Sequence, residues 1–469
     1  MSDTHITKHN LPPLAFRVRN IWEMFKLGRR YTAEPLALIG EGFATFGDIH
    51  YYDFRGQNQM MIADPEAIQQ ITVSQAQKFV KNADYTDTKR GLARFLGNGL
   101  LTNEGDAWKR QRKLMQPAFH HKRIEGYAEH IVGSTTAMVD GWQGQTTIPI
   151  AEALMALTLR IVVKSLFAAE ADADTEQIGE AMDIIQDFTN DMHLLPTWLP
   201  TPLELRARRA VKLLDEVIYR LIKRRREEGE DRGDLLSMLL QTTDEEGIPM
   251  SDKQIRDELV TLYLAGHETT ANVLNWTFYL LAQNSTQRKA LQTEIDGVLG
   301  GRLPTLSDLK RLPYTEQVVK EAMRLYPPAW VFSRMAIEDT VLGGYLIPQG
   351  STIVVSLYHT HRHTALWGAD ADQFIPERFA PEREKLIPRY AYLPFGAGAR
   401  ICIGNMFAMM EAQLILATIV QRVDLALHPG QEVKVDAKLT MRPQGRLPML
   451  IQRREMQAEH PQEFAAVYA

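Results

Sequence analysis

Thiols are almost absent from this sequence: Cys402 is the one cysteine in 469 residues. A single thiol excludes an internal disulfide and removes the usual argument for an oxidising compartment. Long apolar runs are missing as well. No window reaches the roughly 18 uninterrupted apolar residues that spanning a bilayer requires. Positive charge is not in excess, because 53 Lys and Arg face 58 Asp and Glu, a formal net charge of −5. A nucleic-acid-binding domain is normally basic, so that class is set aside. The opening "MSDTHITKHNLPPLAFRVRN" lacks the basic start, apolar run and small-residue cleavage site of a secretion signal. Repeats of fixed period and low-complexity blocks are also absent. The expectation is a soluble, cytoplasmic globular protein with no transmembrane segment.

Hydrophobic residues make up 45% and charged residues 24%, enough for a large core. Breaks at Leu194–Pro202, Glu227–Asp234 and Pro376–Lys385 are too short to be linkers, so a single domain over residues 1–469 is expected. Apolar residues recur at three- and four-residue spacing over Asp106–Phe119, Arg123–Trp142, Ala151–Ala168, Asp174–Thr189, Leu203–Glu228 and Cys402–Val423. Strand signals are few: two strands about a Gly turn in Gly47–Asp64, and another in Ser351–His359. The fold class is therefore mainly α with a small β-rich portion, mainly about residues 45–65 and 330–360. The stretch Leu14–Tyr31 is mildly amphipathic and basic. A peripheral membrane contact is weighed there against a packed surface helix. The charge-dense Lys223–Arg232 reads as a solvated helix end and loop.

Ser251 followed by Gln254 forms a capping box, and the pattern then runs without proline to about Leu281. A helix this long and apolar should cross the middle of the protein. Its centre, Ala265-Gly266-His267-Glu268-Thr269-Thr270, uses poor mid-helix residues. A buried Glu is costly unless paired or functional, and a Thr that bonds back to a carbonyl can open the helix locally. A packing defect and a functional notch both fit at this point.

Glu321 and Arg324 lie three apart on an otherwise apolar helix that must end before Pro327. A buried pair of this kind needs further partners, and Arg378 of "FIPERF" is the candidate. His359, His361 and His363 at period two would share a strand face and could hold zinc, but no local Asp, Glu or Cys completes a site, and a polar strand end is the preferred reading. Trp108 and Arg112, with Lys109, Arg110 and Lys113 around them, form an aromatic–cation face suited to an anionic group. Finally, Cys402 sits in "PFGAGARICIG", between an arginine and glycines, just before a helical stretch.

Taken together and in this order, the motifs resemble the cytochrome P-450 family of haem-thiolate monooxygenases. The Phe-x-x-Gly-x-Arg-x-Cys-x-Gly pattern is met by Phe395, Gly398, Arg400, Cys402 and Gly404. Ala265, Gly266, Glu268, Thr269 and Thr270 meet the long-helix pattern, Glu321 and Arg324 the Glu-x-x-Arg pair, Pro376–Phe379 the Pro-Glu-Arg-Phe motif, and Trp108 with Arg112 the Trp-x-x-x-Arg helix. The resemblance implies haem b between the long helix and the Cys-bearing loop, with Cys402 as the axial thiolate. It implies that Gly398 and Gly404 let backbone approach the sulfur, and that Phe395 packs beside it. Trp108, Arg112, Arg400 and Arg334 would grip the propionates, and Ala265 would lie against the cofactor. Glu321, Arg324 and Arg378 would form a structural network. Glu268 and Thr269 would deliver protons to dioxygen through water.

No complete Gly-x-Gly-x-x-Gly follows a strand, so electrons are expected from a separate ferredoxin or flavodoxin with an NAD(P)H-dependent reductase. Lys109, Arg110 and Lys113 are the expected docking cations. The substrate segments by position are Lys81–Leu101, Ile184–Leu203, Leu262–Ala265, Ala329–Phe332 and Leu439–Leu447. From them Phe95, Leu100, Leu195, Leu264, Ala329, Trp330 and Val331 are the candidate pocket residues, suited to a lipophilic molecule such as a fatty acid, terpenoid, carotenoid or steroid. Arg55, Lys89 and Arg90 are the cations available for a substrate carboxylate. A haem-thiolate peroxygenase or isomerase and a haem sensor are the competing classes. Glu268 and Thr269 argue against both.

Overall fold

The computed structural model describes residues 10–119, 125–167, 173–190 and 201–454. Its organising element is the central helix Asp252–Gln283, 32 residues long. The capping box forms: Ser251 Oγ accepts from the Gln254 N–H and Gln254 Oε1 accepts from the Ser251 N–H, both at 3.2 Å. The first half of this helix, from Ile255 to Leu264, belongs to one core cluster. The second half, from Ala271 to Leu281, belongs to another. The polar residues 265–270 lie at the join.

The helix is unbroken through that join. Thr269 Oγ1 donates to the Ala265 carbonyl at 2.7 Å and Thr270 Oγ1 to the Gly266 carbonyl at 3.2 Å. The expected local opening does not occur, because each hydroxyl uses a spare lone pair of a carbonyl already in the helical ladder. Gly266 has a packing reason: a Cβ there would meet Val162 at 2.9 Å, on the crossing helix Ile150–Phe167.

The main sheet has six strands: β1 (Leu14–Val18), β2 (Ile49–Phe54), β3 (Gln57–Ile62), β4 (Phe79–Val80), β5 (Val331–Ala336) and β6 (Thr352–Ser356), in the order β1-β2-β3-β6-β5-β4. The β2–β3 hairpin pairs Ile49 with Ile62 and Phe54 with Gln57. The basic stretch Leu14–Tyr31 is not one amphipathic segment. It divides at Asn20, whose side chain accepts from the Glu23 N–H at 3.0 Å and caps the helix Ile21–Ala33. A second sheet, in which Val423–Leu427 pairs with Pro448–Arg453 and that strand with Thr147–Pro149, was not expected. Its short strands lack clean alternation.

β6 ends at Ser356, so His359 and His361 do not share a strand face. The His359 ring bonds Ser356 and the Leu36 carbonyl at 2.7 and 3.1 Å. His361 Nε2 accepts from the Leu393 N–H at 3.0 Å. Among the described residues no cluster of three metal-ligating side chains exists.

Glu321 and Arg324 are fully buried on the helix Pro313–Leu325. They form a two-pronged pair at 2.7 and 2.8 Å, and Arg378 Nε stands 3.5 Å from Glu321 Oε1. Removing the acid would leave two buried guanidinium groups short of charge. Glu321→Gln should therefore cost about 3–5 kcal/mol of stability, the range for breaking one side of a buried pair. Urea unfolding of the haem-loaded protein measures it, and a loss below about 1 kcal/mol would refute the assignment.

Candidate active site

A cavity of about 480 Å³ lies between the central helix and the Cys402 loop, reached by side chains of both. The loop folds back on itself: the Cys402 N–H donates to the Phe395 carbonyl at 2.9 Å. Gly398 has φ +66°, and a Cβ there would stand 2.0 Å from the Thr72 carbonyl oxygen. That carbonyl belongs to the π-helical turn Gln70–Ser74. Gly398 thus admits the neighbouring turn, a contact the sequence did not announce. Gly404 has an ordinary φ of −93°. Its N–H is hydrogen-bonded to the Cys402 sulfur.

The Cys402 side chain has open surface although protein surrounds it densely, because that surface faces the cavity. Burial pushes its thiol up, opposed by the Gly404 N–H and the Arg112 charge. The helix Asn405–Arg422 begins immediately afterwards and presents its positive end to the same loop.

One edge of the cavity is cationic. Arg112, Arg334, Arg400 and Lys81 all line it. Trp108 lies beside two of them, with guanidinium carbons of Arg400 and Arg112 at 4.3 and 5.9 Å from its ring centre. Arg400 is paired with Glu104, yet its buried Nη1 has no partner. Arg112 forms no ion pair or hydrogen bond among the described residues. Arg334 Nη1 bonds only the Ser333 carbonyl, at 2.7 Å. Lys81 was inside an expected substrate segment but not singled out. Burial, with Arg400 and Arg334 nearby, brings its ammonium down to about 7, and its Nζ donates to the Leu100 and Asn103 carbonyls at 3.0 and 2.8 Å. Unfilled guanidinium donors at a cavity edge fit an anionic group with several carboxylate oxygens.

Glu268 and Thr269, on the central helix, both line the cavity as well. Glu268 Oε1 accepts from Thr440 Oγ1 at 2.5 Å, and Thr440 Oγ1 in turn accepts from Asn272 Nδ2 at 3.1 Å. Thr440 lies inside the expected substrate segment Leu439–Leu447 but carries no motif, and as an individual residue it was missed. So was Glu411, on the helix after Cys402. It is fully buried with both carboxyl oxygens unpartnered. Its polar neighbour Thr270 has its hydroxyl aimed at the Gly266 carbonyl.

Of the expected pocket residues, Leu100, Leu264, Ala329 and Val331 line the cavity, as does Ala265. Trp330 does not. It is 2% exposed in a separate core cluster, with Nε1 donating to the Lys438 carbonyl at 2.8 Å. Ala329 and Val331 face the cavity, so the extended chain turns the residue between them away. Phe95 is also core, edge-on to Phe188 at 5.3 Å. Leu195 lies outside the described residues. Arg55, Lys89 and Arg90 are not among the lining residues. Lys109, Arg110 and Lys113 are each paired, with Asp106, Asp244 and Glu245.

A family model described as Cytochrome P450 matches residues 12–449, and the chain belongs to that family. Cyclooctatin synthase of Streptomyces melanosporofaciens is 39% identical over 80% of this chain and 83% of its own length. Pentalenene oxygenase of Streptomyces avermitilis is 35% identical over 90% and 92%. The solved structure of a retinoic acid-bound cyanobacterial CYP120A1 superposes with a TM-score of 0.82 at 24% identity, covering 95% of this chain and all of that one. The protein is thus a haem-dependent monooxygenase acting on lipophilic substrates, with a cysteine axial ligand that this sequence offers only at Cys402. No helix among the described residues is long and apolar enough to cross a membrane.

Two outcomes follow. Gly398→Ala forces a left-handed φ on Ala and drives its methyl into the Thr72 carbonyl. Haem content after expression should fall severalfold, and full incorporation would show that the loop does not dock there. Burial raises the Glu411 carboxyl from 4.5 to about 8, so the folded state holds a proton that the unfolded state releases. Its contribution to stability is therefore complete below pH 4.5 and lost as pH rises towards about 8. Denaturation midpoints across this window should fall more steeply for the wild type than for Glu411→Gln; parallel curves would contradict the shift.

Proposed function

We propose that this monooxygenase hydroxylates a terpenoid, in the cytoplasm, using dioxygen and electrons from a separate ferredoxin or flavodoxin with its reductase. One observation carries the reading. Cys402, Glu268 and Thr269 line a single cavity, together with the apolar side chains Leu100, Leu264, Ala329, Val331 and Phe332. Such a lining suits a bulky hydrocarbon skeleton. The names of two relatives, cyclooctatin synthase and pentalenene oxygenase, point to the same class.

Haem, when bound, supplies the redox centre at which dioxygen is activated. The chain supplies the rest. Cys402 is the sulfur ligand, with the Gly404 N–H and the helix start holding its negative charge. Arg112, Arg334 and Arg400, with Lys81 and the Trp108 ring beside them, would hold the propionates, and the Arg400 Nη1 that now lacks a partner would find one there. Glu268 and Thr269 form the proton path: Thr440 holds Glu268 Oε1, and the Thr269 hydroxyl proton rests on the Ala265 carbonyl until a better acceptor enters the cavity. Glu321, Arg324 and Arg378 act structurally. A peroxide-driven or sensing role would give the acid–alcohol pair nothing to do.

The test is a titration of the haem-loaded enzyme with cyclic terpenoids, fatty acids and carotenoids, followed by turnover with a surrogate ferredoxin and reductase. Cyclic terpenoids should shift the spin state and yield an alcohol. Thr269→Ala should keep the shift and lose product to peroxide by about tenfold or more, the scale of a lost proton-transfer group. A spin shift confined to fatty acids would sink the substrate class, and unchanged coupling in Thr269→Ala would sink the proton path.

A further inference from the structure

The helix Ile21–Ala33 buries none of its residues. Trp22 is 78% and Ile21 64% exposed, and Met24, Phe25 and Tyr31 also stand open. At about 100° per residue Ile21, Trp22, Met24 and Phe25 fall on one broad side of the helix. On β1, at the edge of the main sheet and just ahead of this helix, Leu14 and Phe16 are exposed as well. Isolated apolar side chains on a surface need no explanation, but a run of large ones does.

The charges beside them that lack an ionic partner or a local hydrogen bond are positive. Arg17 and Arg30 are paired with Asp53 and Glu41. Arg19, Lys26 and Arg29 have no ion-pair partner among the described residues. Glu23, the one acid of the helix, is turned back to accept from the Arg19 N–H at 2.7 Å. Large apolar side chains flanked by free cations match the boundary of an anionic bilayer, where rings and aliphatic groups enter the acyl layer while cations meet phosphates. A second copy of the chain fits worse, because a two-fold contact would bring these cations against their own equivalents.

We infer that the face formed by Ile21, Trp22, Met24 and Phe25, flanked by Arg19, Lys26 and Arg29, binds the surface of an anionic lipid membrane. The contact is interfacial, with the helix lying in the membrane plane. It does not depend on which substrate the cavity takes.

The haem-loaded full chain is tested by co-sedimentation with phosphatidylcholine vesicles, with and without phosphatidylglycerol. Binding should appear with phosphatidylglycerol and weaken as salt rises. Replacing Arg19, Lys26 and Arg29 by Gln should lower the partition coefficient by on the order of fivefold per cation, about 1 kcal/mol each. Trp22→Glu with Ile21→Glu should abolish it, with the reduced carbon monoxide spectrum unchanged because neither side chain is part of the core. Brominated lipid should quench the wild type more than Trp22→Phe. The inference is overturned if neither vesicle binds, if the Glu variants bind like the wild type, or if quenching is equal. It is also overturned if the Glu variants change only sedimentation of the free protein, which would make the face a contact between copies, or if they change only affinity for an acidic redox protein.

Discussion

Arg324 donates all five of its N–H groups, two to Glu321 and one each to the carbonyls of His361, Ala371 and Gln373, at 2.6–3.0 Å. The three carbonyls belong to chain that is mostly neither helix nor strand, so no ladder would otherwise satisfy them. One fully buried guanidinium solves that problem for a long irregular segment at once. The effect reaches the thiolate loop. Burial and the Arg324 charge push the His361 imidazole down to about 3, leaving it neutral, and its Nε2 accepts from the Leu393 N–H just before that loop begins at Pro394. The ion pair is therefore part of what holds Cys402 in place, although it is nowhere among the residues lining the cavity.

The central helix imposes the second constraint. Its two halves serve two hydrophobic clusters, and between them a stretch must face neither. There the side chains change from apolar to Gly266, Glu268, Thr269 and Thr270. Gly266 lets the helix Ile150–Phe167 come close, and the hydroxyls stay within the helix's own carbonyl ladder. A helix can carry this polar notch without a break because no backbone bond is surrendered. Glu268 stays affordable in the interior because Thr440 and Asn272 form a chain of donors behind it.

Much of this was readable in the chain. The capping box at Ser251 marks the start of the central helix, and the three-residue spacing of Glu321 and Arg324 marks a buried pair once the helix around it is seen to be apolar. Contacts made across long sequence distance were not readable. Nothing near Gly398 announces Thr72, nothing near Glu268 announces Thr440, and nothing near Arg400 announces Glu104. Trp330 and Phe95 failed for a different reason. A large aromatic in a substrate segment looks like a pocket wall, but the same size makes it the best filler of the core behind that wall. The helix-like charge pattern of Leu14–Tyr31 hid a strand, because a single Asn cap outweighed the pattern across its length.

The cavity explains why cofactor and substrate were read so unequally. On the proposed reading its edge meets fixed chemistry: a sulfur for iron, planar donors for carboxylates, an aromatic beside two arginines. Each requirement admits few residue types at few positions, so a short motif can encode it. The remaining wall must only be apolar and of the right shape, and Leu100, Leu264, Ala329 and Val331 meet that demand no better than many alternatives. The two sets hardly share residues. Substitutions on the apolar wall can thus change its shape without touching Arg112, Arg334, Arg400 or Cys402, and a recognisable cofactor signature says little about what is oxidised beside it.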